Sequence, residues 1–157
     1  MKLSVVVIGR ADRLLREAIE EYERRAARYW NLEIIEVREE RAKGAADERV
    51  KAAESERLLQ RVPAGAELIA VTRTGDAWSS TRLARHLSQL AVRSSPGAAF
   101  AIGGALGLSD EFLRSANRRM RLSTFTLTHE MARLLLAEQL YRTGTIQRGE
   151  PYHKGTE

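Results

Sequence analysis

A chain of 157 residues, 43% hydrophobic and 30% charged, has the size and balance of one soluble domain with a real core. It has no cysteine, which excludes disulfides, thiolate catalysis and cysteine-based zinc sites, and its three histidines (His86, His129, His153) lack metal-ligand spacing, so no metal is expected. No apolar stretch approaches the roughly 18 residues of a membrane span, and a net charge of +5 favours a polyanionic partner.

The N-terminal run "LSVVVIG" (3–9) is β-rich, ends in glycine and is too short for a signal peptide. It reads as a first strand, and the protein as cytoplasmic. Asp12 is placed to cap a helix carrying Leu14, Leu15, Ala18, Ile19 and Tyr22 at helical spacing. "LEIIEVR" (32–38) alternates like a strand, and 38–47 is a charged loop. A helix follows from about Asp47 to Arg61, ended by Pro63-Ala64-Gly65. "AELIAVT" (66–72) is a third strand, 73–80 a turn, and 81–92 a helix capped by Ser79 or Ser80. "AAFAI" (98–102) is a fourth strand, a helix starts near Ser109, "RLSTFTLT" (121–128) is a fifth strand, and 129–143 is the last helix. Strands and helices alternate, which predicts an α/β domain with a mainly parallel sheet flanked by helices. Ligands of such sheets bind beyond the C-terminal strand ends. The loops there are 72–80, 103–108 and 128–129, adjacent only if the third, fourth and fifth strands are neighbours.

The fourth strand runs into "IGGALGLS" (102–109). Its glycines permit positive φ and close approach of a ligand to the backbone; a turn needing glycine for packing alone is the plainer reading. No lysine or arginine lies within 103–108 and the spelling is G-G-x-x-G, so a phosphate cradle is disfavoured and an adenosine-like ligand is left open. Thr124, Thr126 and Thr128 alternate with Phe125 and Leu127, as in a half-buried strand with a threonine face. His129 sits at a helix start, where a neutral imidazole suits a proton acceptor and a capping histidine is the equal alternative. Arg133 lies one turn on. Arg142 is about 180° further round, so the two arginines cannot serve one site on one straight helix. The plain role for Arg142 is an ion pair with Glu138. Arg114, Arg118, Arg119 and Arg121 form a basic cluster: a solvated helix face, or phosphate contacts giving salt-dependent RNA binding. Tyr152 and His153 stand in a tail expected to fray unless it folds back over a site. A tyrosine there can stack on a base.

Three segments together, "IGGALGLS" at 102–109, "LSTFTLTHEMARLLLAEQLYR" at 122–142 and "RGEPYHK" at 148–154, resemble the SPOUT-class methyltransferases that modify a pseudouridine in bacterial large-subunit ribosomal RNA (the RlmH type). The resemblance spans nearly the whole chain. It implies one domain over 1–157 with a deep trefoil knot over about 98–157, a homodimer whose sites are shared between chains, and S-adenosylmethionine held by the glycine turn. It implies transfer of a methyl group to N3 of a pseudouridine in the 23S RNA of the assembled ribosome, with neither DNA nor membrane as partner. Cofactor contacts carry over to Val71, Thr72, Gly103, Gly104, Leu122, Ser123, Thr124, Phe125, Thr126 and Leu127. His129, Arg133, Arg142, Tyr152 and His153 carry over as RNA-binding and catalytic positions, with His129 or His153 as base and Arg133 or Arg142 as anion stabiliser and phosphate clamp. Many relatives have Leu-Asp at Val71-Thr72 and Pro at Thr128; Asp76 is the nearby carboxylate that would replace the missing one.

Two other classes remain from the residues. A non-catalytic ribosome-associated RNA-binding protein explains the charge and would show no cofactor affinity. A dinucleotide enzyme explains the glycine turn, yet Gly9 stands alone where its fingerprint belongs.

Overall fold

Residues 1–41 and 43–154 are described by a computed structural model, with the side chain of His153 left aside. Five strands run in the order β2-β1-β4-β3-β5: β1 (Lys2–Ile8), β2 (Asn31–Val37), β3 (Glu67–Ala77), β4 (Gly97–Ile102) and β5 (Arg118–Arg121). Every pairing is parallel. Five helices connect or follow them: α1 (Arg16–Ala26), α2 (Asp47–Arg61), α3 (Ser80–Val92), α4 (Asp110–Ser115) and α5 (His129–Gln147).

Strand periodicity divides the core in two. In β1, Leu3, Val5 and Val7 face one layer with Leu83, Leu87, Leu136 and Leu140 of α3 and α5. Val6 and Ile8 face the other with Leu58 of α2 and Phe112 of α4. Helices on both faces explain why β1 and β4 read as continuous apolar runs.

The fifth strand is displaced from its expected place. It occupies Arg118–Arg121, and 122–128 leaves the sheet. The hydroxyls of that stretch satisfy backbone donors locally and outcompete a ladder. Phe125 N–H donates to Ser123 Oγ at 2.9 Å, and Met131 N–H to Thr128 Oγ1 at 3.2 Å, capping α5. Three of the four clustered arginines therefore lie on an edge strand, with Arg114 alone on a helix.

The expected turn at 73–80 is mostly strand. The β3–β5 register shifts between Val71 and Asp76, and both pair with Met120. Gly75 allows the close return, because a Cβ there would stand 2.5 Å from Met120 N.

Helix α1 starts at Arg16 instead of next to Asp12. The Asp12 carbonyl holds a preceding turn by accepting from Arg16 N–H at 2.8 Å. Leu14 is consequently exposed and only Ile19 and Ala26 of the helix are buried. The tail folds back instead of fraying: Pro151–His153 form a short 3-10 turn, and the Tyr152 ring lies 4.5 Å from that of Tyr141 on α5.

Candidate active site

Because β4, β3 and β5 are consecutive in the sheet, the loops after β4 and β5 meet the irregular stretch of β3 at its register shift. They enclose a cleft of about 550 Å³. From β3 come Val71, Thr72, Arg73 and Thr74; from the glycine turn, Gly103, Gly104 and the residues to Leu108. Leu122, Ser123, Phe125, Thr126 and Leu127 close the third side. Of the ten cofactor positions carried over from sequence, all but Thr124 line this space.

The glycine turn is locked by packing. Gly107 N–H donates to Gly104 O at 3.0 Å, and Gly107 has φ +81°. A Cβ on Gly103 would lie 2.7 Å from the Gly107 carbonyl carbon; one on Gly104 would lie 2.8 Å from Glu54 Oε1. Glu54 is only 5% exposed, and burial pushes its carboxyl above the usual range although Glu40 N–H donates to it at 3.2 Å.

Sequence reasoning missed Lys51, Arg73 and Asp110, the charged residues of the lining. Asp110 directly follows the capping Ser109 and was legible in principle; Lys51, on a helix far away in sequence, gave no signal. Arg73 Nη1 donates to Thr126 Oγ1 at 3.1 Å, joining two loops. Asp76 does not line the cleft. It belongs to a separate hollow with Trp78 and Arg118, and its Oδ2 lies 3.9 Å from Arg82.

The five proposed catalytic positions separate. His129 begins α5 beside the cleft, where Ala132 is a wall residue, and its Nε2 lies 3.8 Å from Glu130 Oε1. Arg133 points away and is 5% exposed. Its guanidinium donates to Glu23 Oε1 at 2.7 Å and Glu36 Oε2 at 3.2 Å, tying α5 to α1 and β2. That geometry makes it a structural tie, not a group open to RNA. Arg142 lies about 20 Å further along α5 than His129 at the helical rise of about 1.5 Å per residue. It donates to Glu138 Oε1 at 2.6 Å and stacks over Tyr152, whose hydroxyl donates to the same oxygen at 3.0 Å. Burial, then hydrogen bonds with Tyr22 and Glu138, raise the Tyr152 hydroxyl pKa. The His153 side chain lies outside the described residues.

A family model described as "Predicted SPOUT methyltransferase" matches residues 1–153. The chain belongs to the SPOUT methyltransferase family. A protein of Gemmatimonas aurantiaca named ribosomal RNA large subunit methyltransferase H is 46% identical over 155 residues, covering 98% of this chain and 100% of its own. One of Geobacter sulfurreducens with the same name is 46% identical over 154 residues, covering 98% and 99%. Among solved structures, a putative methylase family protein from Neisseria gonorrhoeae superposes with a TM-score of 0.52 at 15% identity, covering 89% of this chain and 81% of its own. At that identity the likeness speaks for the SPOUT fold alone.

Proposed function

We propose that the chain is an S-adenosylmethionine-dependent methyltransferase acting on N3 of a pseudouridine in large-subunit ribosomal RNA. We place it in the cytoplasm, as a homodimer working on the assembled ribosome. The observation that carries the reading is the three-loop cleft at the strand ends, in a chain whose full-length relatives are named ribosomal RNA large subunit methyltransferase H. Among the described residues no helix is long and apolar enough to cross a membrane.

The residues fit the cofactor. A volume of about 550 Å³ lies within the usual range for small-molecule sites. Ile102, Leu108, Leu122 and Leu127 supply apolar wall, while Thr72, Ser123 and Thr126 supply hydroxyls. The glycine turn brings bare backbone to the surface, as a nucleoside requires. When bound there, S-adenosylmethionine supplies a methyl group made electrophilic by its sulfonium. We take Val71, Thr72, Gly103, Gly104 and the 122–127 loop as the residues that hold it.

The remaining work falls to acid–base chemistry and alignment. His129, at the cleft end of α5, is the residue we assign to take the N3 proton; His153 is the second candidate. Arg142, with Tyr152 of the tail stacked against it, stands too far along α5 to meet its own chain's cleft. In a homodimer the two would complete the partner's site, Arg142 engaging phosphate or the developing anion and Tyr152 a base. A knot over about 98–157 belongs to the same reading.

The test incubates the protein with methyl-labelled S-adenosylmethionine and intact ribosomes from a strain lacking this activity, then maps the label. Label on N3 of one large-subunit pseudouridine is expected. Ribosome binding without label or cofactor affinity would replace this reading by a non-catalytic RNA-binding role.

A further inference from the structure

Three side chains bring charge to the cleft: Lys51, Arg73 and Asp110. Arg73 is engaged across the mouth with Thr126. The other two come from α2 and α4, which one hydrogen bond ties together. Ser109 N–H donates to Ser55 Oγ at 2.9 Å, joining the start of α4 to α2. Lys51 lies one helical turn before Ser55 on α2, and Asp110 follows Ser109 directly. They do not pair with each other: Lys51 Nζ meets Glu48 Oε1 at 3.0 Å, and among the described residues Asp110 makes no ion pair. The Lys51 side chain is only 22% exposed, so its stem is held along the wall, whereas Glu48 is 84% exposed and a weak competitor for the ammonium.

A lysine and an aspartate lining one cleft, on two helices tied at Ser55 and Ser109, match a ligand end carrying the opposite pair of charges. A phosphate would be repelled by Asp110, and a neutral nucleoside would use neither group. The zwitterion of an α-amino acid uses both, its carboxylate on lysine and its ammonium on aspartate. We propose that Lys51 and Asp110 form the subsite for the amino-acid end of the cofactor. The inference rests on the cofactor reading above.

The test is calorimetric titration of the full-length protein with two probes, free of any turnover. S-adenosylhomocysteine carries the amino-acid end; methylthioadenosine is the same nucleoside thioether without it. The wild-type protein is expected to bind S-adenosylhomocysteine at least about tenfold more tightly. Lys51→Met and Asp110→Asn should each remove most of that difference while leaving the Kd for methylthioadenosine and the unliganded Tm unchanged. If both variants keep the wild-type preference, or weaken both probes equally, the subsite is elsewhere and the cofactor reading stands. If the wild-type protein binds neither probe, the cofactor reading falls and takes the subsite with it.

Discussion

Arg73 Nη1 donates to Thr126 Oγ1 at 3.1 Å, so a residue of the β3 excursion holds the loop after β5. Both residues are wall of the same cleft. Arg73→Ala releases that loop without opening the core. The loss of one exposed hydrogen bond, worth about 0.5–1.5 kcal/mol, should weaken S-adenosylhomocysteine binding by about two- to twelvefold. The loss should appear in the off-rate, measured by stopped-flow displacement, with little change in Tm.

The two turn glycines should respond differently to alanine. The Cβ of Gly103→Ala meets backbone, 2.7 Å from the Gly107 carbonyl carbon, and nothing soft can yield. About 1–3 kcal/mol of stability and most of the cofactor affinity should go together. In Gly104→Ala the nearest atom is Glu54 Oε1 at 2.8 Å, the end of a side chain that can swing. A milder loss in chemical denaturation is expected, and equal damage in the two variants would contradict this account of the turn.

Arg133 makes a prediction opposite to a direct role on RNA. Removing its guanidinium strands Glu23, whose side chain is 12% exposed. Arg133→Met should cost about 3 kcal/mol in urea denaturation, at the lower end for a broken buried pair because Glu36 keeps water. Arg133→Lys should recover only part, since a single ammonium cannot serve both carboxylates. A variant of wild-type stability that fails only in RNA methylation would return Arg133 to the site.

Glu54 carries a pH signature. Its folded-state pKa is raised by burial above the ordinary 4.5. The Glu54 contribution to stability is therefore fully present below about 4.5 and is lost as pH rises through the folded pKa. Glu54→Gln keeps an acceptor for Glu40 N–H and removes the buried charge, so it should be more stable than wild type at neutral pH. That gain should vanish in denaturation curves taken near pH 4; a gain independent of pH would show that charge is not the cause.

The proposed sharing of each site between two chains makes a stoichiometric prediction. His129→Ala and Arg142→Ala homodimers should each lose methyl transfer. Unfolded together and refolded at equal concentrations, about half the dimers are mixed and each has one intact site of two, so about a quarter of wild-type activity should return. No recovery would place both residues in sites formed within one chain.

The sequence showed most where burial alone decides. β1 and β4 are covered on both faces, and their apolar runs mark them within a residue or two. It misled where two local preferences compete. The Thr-Phe-Thr-Leu-Thr alternation is as good a strand pattern as β2, but its hydroxyls hold a loop and an α5 cap, and Phe125 is 81% exposed. The short β5 has no pattern of its own: Arg118–Arg121 form a strand because β3 offers an edge. Arg133 stood at the right spacing to share a face with His129, and only the positions of Glu23 and Glu36 reveal that it turns inward. The cofactor positions were carried by resemblance; the charged wall of Lys51 and Asp110 depends on tertiary contact between α2 and α4.

Met120 pairs with Val71 and again with Asp76. The residues between them, three of which line the cleft, thus form a loop closed on a single residue of the neighbouring strand. A cofactor loop tethered at two separate places has to be gathered when its ligand arrives. Here the gathering is complete once the sheet has formed, so ligand binding has little backbone freedom left to remove on this side. It also fixes the size of the excursion: an inserted or deleted residue between 71 and 76 cannot be absorbed by sliding the ends and must change the shape of the cleft wall itself.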